Sequence, residues 1–201
     1  MVVLSERENI MLKDLVLQCR SYRRFYEDVV IDIGMLRELV DLARNTASAT
    51  NRQPLKYILS CSREWNAQIF SCLHWAAMLR NWPGPAAGER PVAYIIVLGD
   101  KGLGPSFGVD HGIAAQTILL GATEKGFGGC MMAAVDKDEL RQFLNIQPKF
   151  EILLVIALGK PKERVVLDEL PPGVDTAYWR DKDDVHHVPK RRLVDIIVAE
   201  Y

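Results

Sequence analysis

The chain has 201 residues, 49% of them hydrophobic, and its 25 Lys and Arg stand against 26 Asp and Glu for a formal net charge of −1. That is enough chain for one domain, residues 1–201, with a substantial core, and the charge balance excludes a basic footprint for nucleic acid spread over the surface. The four cysteines show no C-x-x-C spacing, no apolar run approaches the roughly 18 residues of a membrane span, and residues 1–13 are too polar for a signal peptide, so a cytoplasmic protein with no membrane partner is expected.

Ser5 and Glu8 have the spacing of a capping box, in which the hydroxyl takes an orphan N–H and the carboxylate reaches back. Leu12, Leu15, Val16 and Cys19 follow at helical spacing, and that helix should end at Arg20-Ser21-Tyr22-Arg23-Arg24-Phe25. Cations sit comfortably at the negative end of a helix dipole. An anion drawn to this spot would have to be held by the guanidinium forks, which suit phosphate and planar acceptors. Two readings stand: a solvated basic helix end, or a site for a planar anion. Asp32 can start a second helix with Leu36, Leu39, Val40 and Ala43 on one face. Asn45 to Pro54 is then a loop of small and amide side chains, either a plain connection or a place where a ligand approaches the backbone closely. Pro54 biases Gln53 toward extended geometry, and Leu55 to Leu59 reads as a strand.

Trp65, Ile69, Cys72, Leu73 and Ala76 suggest a third helix, stopped by the Pro/Gly-rich stretch from Asn81 to Arg90. Val92 to Leu98 is a continuous apolar run and reads as a buried strand. Leu103 to Asp110 is a loop. Ile113 to Lys125 is apolar nearly all round, as a central helix is, and stops at Gly126-Phe127-Gly128-Gly129. Cys130 to Val135 is a short strand. Asp136 and Glu139 can cap a helix through Leu140 and Phe143, and Ile152 to Leu158 is another apolar strand. Glu163 to Asp184 reads as a charged, Pro-rich arm or loop, after which Lys190-Arg191-Arg192 opens a last helix, Leu193 to Ala199. The sum is an α+β fold, a small central sheet with helices on both faces.

Several chemistries have no motif. Gly126-Phe127-Gly128 follows a helix and precedes a strand, the reverse of the order that sets a pyrophosphate on a helix N-terminus. There is no P-loop and no G-x-S-x-G. His186 and His187 are adjacent, so they diverge on a strand, and no third ligand stands at metal spacing. No acid–base–nucleophile set is legible, so an enzyme of this sequence would rely on a bound cofactor.

Taken together, certain segments resemble the nitroreductase family of FMN-dependent oxidoreductases. Arg20-Ser21-Tyr22-Arg23-Arg24-Phe25 is similar to R-S-x-R-x-F, and Ser48 to Pro54 to S-x-x-N-x-Q-P. Asp110, Gly112, Ala114 and Gln116 form a D-x-G-x-A-x-Q helix running into Gly126 to Cys130. Leu154 to Pro161 resembles the family's closing strand and G-x-P, and Lys190 to Leu193 its basic C-terminal segment.

The resemblance implies a nitroreductase-like α+β fold with a mainly antiparallel sheet, an intertwined homodimer, FMN at the dimer seam, and NADH or NADPH as electron donor. It implies cofactor-binding roles. Arg20 and Ser21, with Tyr22 between the arginines, would meet the phosphate–ribityl side. Arg23 would face N1 and O2 of the ring, where reduction leaves negative charge that a fixed cation favours. Ser48 and Asn51, with Gln53, would reach the flavin from the other subunit. Backbone N–H groups near Ala133 and Ala134 would approach N5, and Lys190 and Arg192 would hold the phosphate. No side-chain nucleophile and no metal is required. Hydride would pass by a ping-pong route to an electron-poor acceptor such as a nitroaromatic or quinone. Cys19, Ala47, Leu55, Met131 and Met132 depart from the family pattern. They keep two other readings open: a flavin- or nucleotide-binding protein with little turnover, and a specialised member that modifies its flavin or dehalogenates a substrate.

Overall fold

A computed structural model describes residues 11–79 and 81–201; the Ser5–Glu8 capping box lies outside them. In chain order the elements are α1 (Leu12–Gln18), β1 (Phe25–Tyr26), α2 (Ile33–Arg44), β2 (Leu55–Ser60), α3 (Arg63–Ser71), β3 (Ala93–Asp100), α4 (Asp110–Glu124), β4 (Gly128–Met132), α5 (Lys137–Phe143), β5 (Phe150–Pro161), β6 (Val165–Leu170), β7 (Trp179–Arg180) and β8 (His186–Arg191). A five-stranded sheet runs β1-β5-β3-β2, with β4 also paired to β5, and every pairing in it is antiparallel.

Strand β3 organises both layers. Seven consecutive residues of it are buried, and because side chains alternate across a strand they feed two cores. Ala93, Ile95 and Val97 face the cluster beneath α2 and α4. Tyr94, Ile96 and Leu98 face the cluster under α3 and α5. In β5 the alternation flips once: Leu154, Ile156 and Leu158 lie in the first cluster while Ile152, Val155 and Ala157 lie in the second. The register between β3 and β5 skips Leu153 at that point, and one extra residue in a strand reverses the facing of everything beyond it.

The helices begin where side-chain caps allow. Asp32 accepts from the Met35 N–H at 2.8 Å, so α2 buries Leu36, Leu39 and Ala43 on one face. Asp136 does the same for α5 through the Glu139 N–H at 3.3 Å. The third helix stops at Ser71, short of Ala76, whose φ of 43° lies in the left-handed region. No helix among the described residues is long and apolar enough to cross a membrane.

Two expectations for the C-terminal quarter are overturned. The charged arm from Glu163 to Asp184 contains β6 and β7, which join β8 in a second, three-stranded sheet of order β6-β8-β7. The last helix does not form: Lys190 and Arg191 end β8, and only a 3₁₀ turn, Leu193–Asp195, follows. The segment has helical apolar spacing, but a short helix needs a surface to bury that face against, and Leu193, Val194, Ile196 and Val198 are all exposed.

Candidate functional site

The arginine segment leaves α1 and lies along β4. Arg20 turns back and donates from Nη2 to the Val16 carbonyl at 2.5 Å, which caps the negative end of α1; its Nε is buried with no partner among the described residues. Ser21 pairs with Gly129 as an isolated parallel bridge, and the Tyr22 N–H donates to the Gly129 carbonyl at 3.0 Å. Gly128 and Gly129 permit this approach. A Cβ on Gly128 would stand 2.5 Å from the Tyr22 ring, and one on Gly129 would stand 2.3 Å from the Ala157 carbonyl. The glycines expected to end the preceding helix therefore also form the first rungs of β4, two residues earlier than the apolar run suggests.

Arg23 is held from the far end of the chain. Its Nη1 donates to the Ser21 carbonyl and to Nε2 of His186, both at 3.2 Å, and its guanidinium lies 4.7 Å from the centre of the Tyr178 ring. His186 is buried, and burial with the nearby Arg23 charge lowers its pKa to about 4, so the ring is neutral at pH 7. Accepting at Nε2 places its proton on Nδ1, which has no partner among the described residues. Glu163, 1% exposed, accepts from the Arg23 N–H, from the Arg24 N–H at 3.3 Å, and from Arg180 Nη2 at 2.8 Å. Arg24 points elsewhere: its guanidinium donates twice to Glu89 at 2.7 and 2.8 Å and once to Asp184 at 2.9 Å.

The loop before β2 forms a second group. Asp110, 4% exposed at the start of α4, accepts from Ser48 Oγ at 2.6 Å and from the Ala49 N–H at 3.2 Å. Ser48 Oγ in turn accepts from the Gln53 N–H at 2.9 Å. Gln53 Nε2 donates to Asn51 Oδ1 at 3.1 Å. Thr50, Asn51 and Gln53 all hold positive φ, 53°, 53° and 50°, a conformation costly enough in a non-glycine residue to need such anchoring. Asn51 and Gln53 remain exposed. Gln116, on the same helix as Asp110, meets Cys19 Sγ at 3.7 Å, so α4 spans from this loop to the arginine segment.

Ala133 and Ala134 follow β4 directly and are exposed; Ala134 turns its carbonyl to the His74 N–H at 3.0 Å. Lys190 is exposed on β8 opposite Glu169 and makes no ion pair with a described residue. It stands four residues beyond His186, about 13 Å along an extended strand. Arg192 is paired with Asp195 through two contacts of 2.9 Å. Within one chain, then, Arg20 to Arg23 and β4 come together, Ser48, Asn51 and Gln53 form a separate loop group, and Lys190 and Arg192 stand at the end of β8. Sequence reasoning passed over Glu163, Tyr178 and His186. The two histidines were weighed only as metal ligands, and nothing in the spacing ties residue 163 to residue 23. Asp110 was visible in the D-x-G-x-A-x-Q pattern without a role.

The sequence pattern of the nitroreductase family matches residues 16–160. A stretch of 50 residues is 36% identical to the Bacillus subtilis (strain 168) protein MhqN, named as an NAD(P)H nitroreductase. That stretch is 25% of this chain and 24% of MhqN, so the match spans about a quarter of the curated relative. The fold is similar to that of a nitroreductase family protein from Clostridium novyi NT, with a TM-score of 0.64 and 25% identity over 76% of this chain and 88% of the other. It is also similar to an FMN-dependent nitroreductase from Clostridium difficile R20291, with a TM-score of 0.61 and 19% identity over 75% and 87% of the two chains.

Proposed function

This chain belongs to the nitroreductase family, and from that premise we propose that it is an FMN-dependent enzyme, a single unit over residues 1–201, that passes hydride from NADH or NADPH to an electron-poor small molecule. The observation that carries the reading is the arginine segment laid on β4 by Gly128 and Gly129, with Arg23 braced beside it. The residues fit the cofactor: the buried Arg20 Nε is a donor without an acceptor among the described residues, and Ala133 and Ala134 are exposed directly after β4. Bound FMN supplies the two-electron chemistry that no side chain here provides.

The chain's own residues do the holding. Arg20, Ser21 and Tyr22 serve the phosphate–ribityl side, and Lys190 and Arg192 add cationic charge for the phosphate. Arg23 offers a fixed positive charge to the ring edge where electron density collects, and neutral His186 keeps it from turning away without competing for that charge. The backbone at Ala133 and Ala134 orients the ring. The loop of Ser48, Asn51 and Gln53, fixed by Asp110, completes the site from a second copy. Two features support an intertwined homodimer. Helix α1 buries none of its residues and leaves Leu12, Val16 and Leu17 open. The apolar tail from Leu193 to Val198 is exposed, while β2 ends the sheet with an edge that no described strand pairs. Four free thiols are consistent with the reducing cytoplasm.

Anaerobic mixing of the FMN-loaded protein with NADH, then NADPH, tests the reading by the loss of the flavin's visible absorbance. Bleaching by one donor and parallel double-reciprocal plots are expected. Bound flavin that neither donor bleaches would mean a binding protein with little turnover. Arg23→Ala should weaken FMN or slow its reduction by about 1–3 kcal/mol, the scale of a charge-assisted bond; unchanged affinity and rate would remove its role. Light scattering should give a dimer, and a monomer that holds FMN fully would contradict the shared site.

A further inference from the structure

We infer that His187 is a proton-operated clasp: as an imidazolium it ties β6 to the turn after β7, and through its neighbour His186 it sets how firmly Arg23 is braced. Its consequence for the cofactor rests on the proposed flavin function. The His187 Nδ1 stands 2.8 Å from Asp168 of β6, and its Nε2 stands 3.3 Å from Asp181. A neutral imidazole donates from one nitrogen only, and the other would turn a lone pair toward a carboxylate. Both contacts are hydrogen bonds only when the ring carries two protons and a positive charge. The surroundings agree. The charged groups that meet the ring are those two acids. Strand β7 contributes the uncharged Trp179, stacked on it at 4.1 Å and 8°, a favourable face for a cation. Arg23 and Arg180 stand with the adjacent His186, which is neutral. The hydrogen bond to Asp168 is the largest cause raising the His187 pKa above its ordinary 6.5. The Val185 N–H, first among several donors, holds Asp181 below its ordinary 3.8, so Asp181 stays ionised where the ring titrates.

The clasp closes on a strained turn. Asp181 Oδ1 accepts from the Asp183 and Val185 N–H groups, both at 2.9 Å, and the Asp181 carbonyl accepts from the Asp184 N–H at 3.1 Å. Its Oδ2 is the atom that meets His187. Asp184 holds φ at 62°, a conformation that a non-glycine residue keeps only where its surroundings impose it. The turn leads directly to the arginine segment. Asp184 accepts from Arg24 Nη1 at 2.9 Å, and His186, two residues on, meets Arg23 Nη1 at 3.2 Å. Side chains alternate across a strand, so His187 grips the acids on one face of β8 while His186 serves Arg23 on the other. Loss of the His187 proton leaves a carboxylate opposite a lone pair, frees the turn at its Asp181 end, and slackens both arginine contacts. The protonated ring prevails below 6.5 and is lost as pH rises through the raised value. The brace is therefore firm in mild acid and loosens on the alkaline side, with no contact between His187 and the cofactor required.

NMR titration of the full-length, cofactor-free protein tests the clasp first. Both His187 ring nitrogens should carry protons at about pH 6. Hydrogen-exchange protection at the Arg23 and Arg24 amides, corrected for the intrinsic pH dependence of exchange, should fall about fivefold along the His187 titration, the low end of coupling between sites. His187→Gln, neutral at every pH, should show no such fall. FMN affinity, read by quenching of flavin fluorescence, comes second. From about pH 6 to about pH 9 it should weaken about fivefold more in wild type than in His187→Gln, the titration of the FMN phosphate being common to both. An unprotonated ring nitrogen at about pH 6, protection that does not follow the His187 titration, or equal pH dependence of FMN affinity in the two proteins would each overturn the clasp. A pH-dependent affinity with constant protection would mean that the bare His187 charge acts on the phosphate, and would overturn it too. Wild type alone decides the first two points if the variant does not fold. Failure to bind FMN at any pH would refute the flavin reading and leave the exchange result to decide the clasp.

Discussion

Replacing Glu163 with alanine removes the carboxylate that ties the arginine segment to the second sheet. The side chain is 1% exposed, and its partner Arg180 is 11% exposed with its guanidinium 4.4 Å over the Trp82 ring. Removing one partner of a buried ion pair costs about 3–5 kcal/mol, because the other charge stays behind without compensation. Arg180 keeps its aromatic contact and some solvent, which points to the lower end of that range. The Arg23 and Arg24 N–H groups also lose their acceptor, at about 1 kcal/mol each. The expected loss is therefore about 4–5 kcal/mol, a large fraction of the 5–15 kcal/mol that typically holds a domain together. Urea unfolding followed by tryptophan fluorescence should show a lowered midpoint at unchanged slope. Adding Arg180→Met to Glu163→Ala should cost less than the two changes made separately, because the stranded charge is gone. A loss under about 1 kcal/mol in Glu163→Ala, or strict additivity in the double variant, would refute the buried-tether argument.

Three other outcomes are expected. Hydrogen bonds from Arg24 hold the Glu89 carboxyl at about 2, below its ordinary 4.5. A depressed acid contributes fully above its ordinary value and loses that contribution as pH falls through the folded one, so wild type and Glu89→Gln should differ by about 3 kcal/mol at pH 7. Their urea midpoints should converge as pH drops from 4.5 toward 2; parallel curves would show that the pair is not the source. His187 is raised above its ordinary 6.5, first by its hydrogen bond to Asp168. Its contribution is complete below 6.5 and lost as pH rises through the raised value, so hydrogen exchange in β8 should gain a pH dependence above 6.5 that His187→Gln lacks. Ser48→Ala removes a donor from Asp110 and the acceptor of the Gln53 N–H. It should cost about 1–2 kcal/mol and lower FMN affinity; unchanged proteolysis at Thr50 and unchanged affinity would mean that the loop holds without it.

The central sheet was legible because burial on two faces writes itself into composition. Seven apolar or small residues in a row at Ala93 to Gly99 can be little else, and Asp32 and Asp136 announce their helices by chemistry that acts within one turn. The second sheet was not. Val165–Leu170 carries Asp168 and Glu169, and β8 contains Pro189, which weighs against a strand by local rules. These strands are specified by partners: β6 lies parallel to β8, and the pair is secured by His187 between Asp168 at 2.8 Å and Asp181 at 3.3 Å. The tail shows the converse error. Its apolar spacing is real, but the surface that would turn spacing into a helix is not supplied by the described residues of this chain.

The same distinction runs through the arginine segment. Read as a string, its three guanidinium groups look like one device for gripping one anion. In the fold they separate. Arg24 is fully spent on Glu89 and Asp184 and serves to pin β1 beside the loop that precedes β3. Arg20 gives Nη2 to the end of α1 and keeps Nε in reserve. Arg23 is offered a neutral imidazole and an aromatic face, which position a cation without cancelling it. Only a group so treated retains its charge for a ligand. What separates Arg23 from Arg24 is therefore that His186 with Tyr178 meets the first and a carboxylate pair meets the second, partners that arrive from 65 to 163 residues away and leave no trace in local spacing.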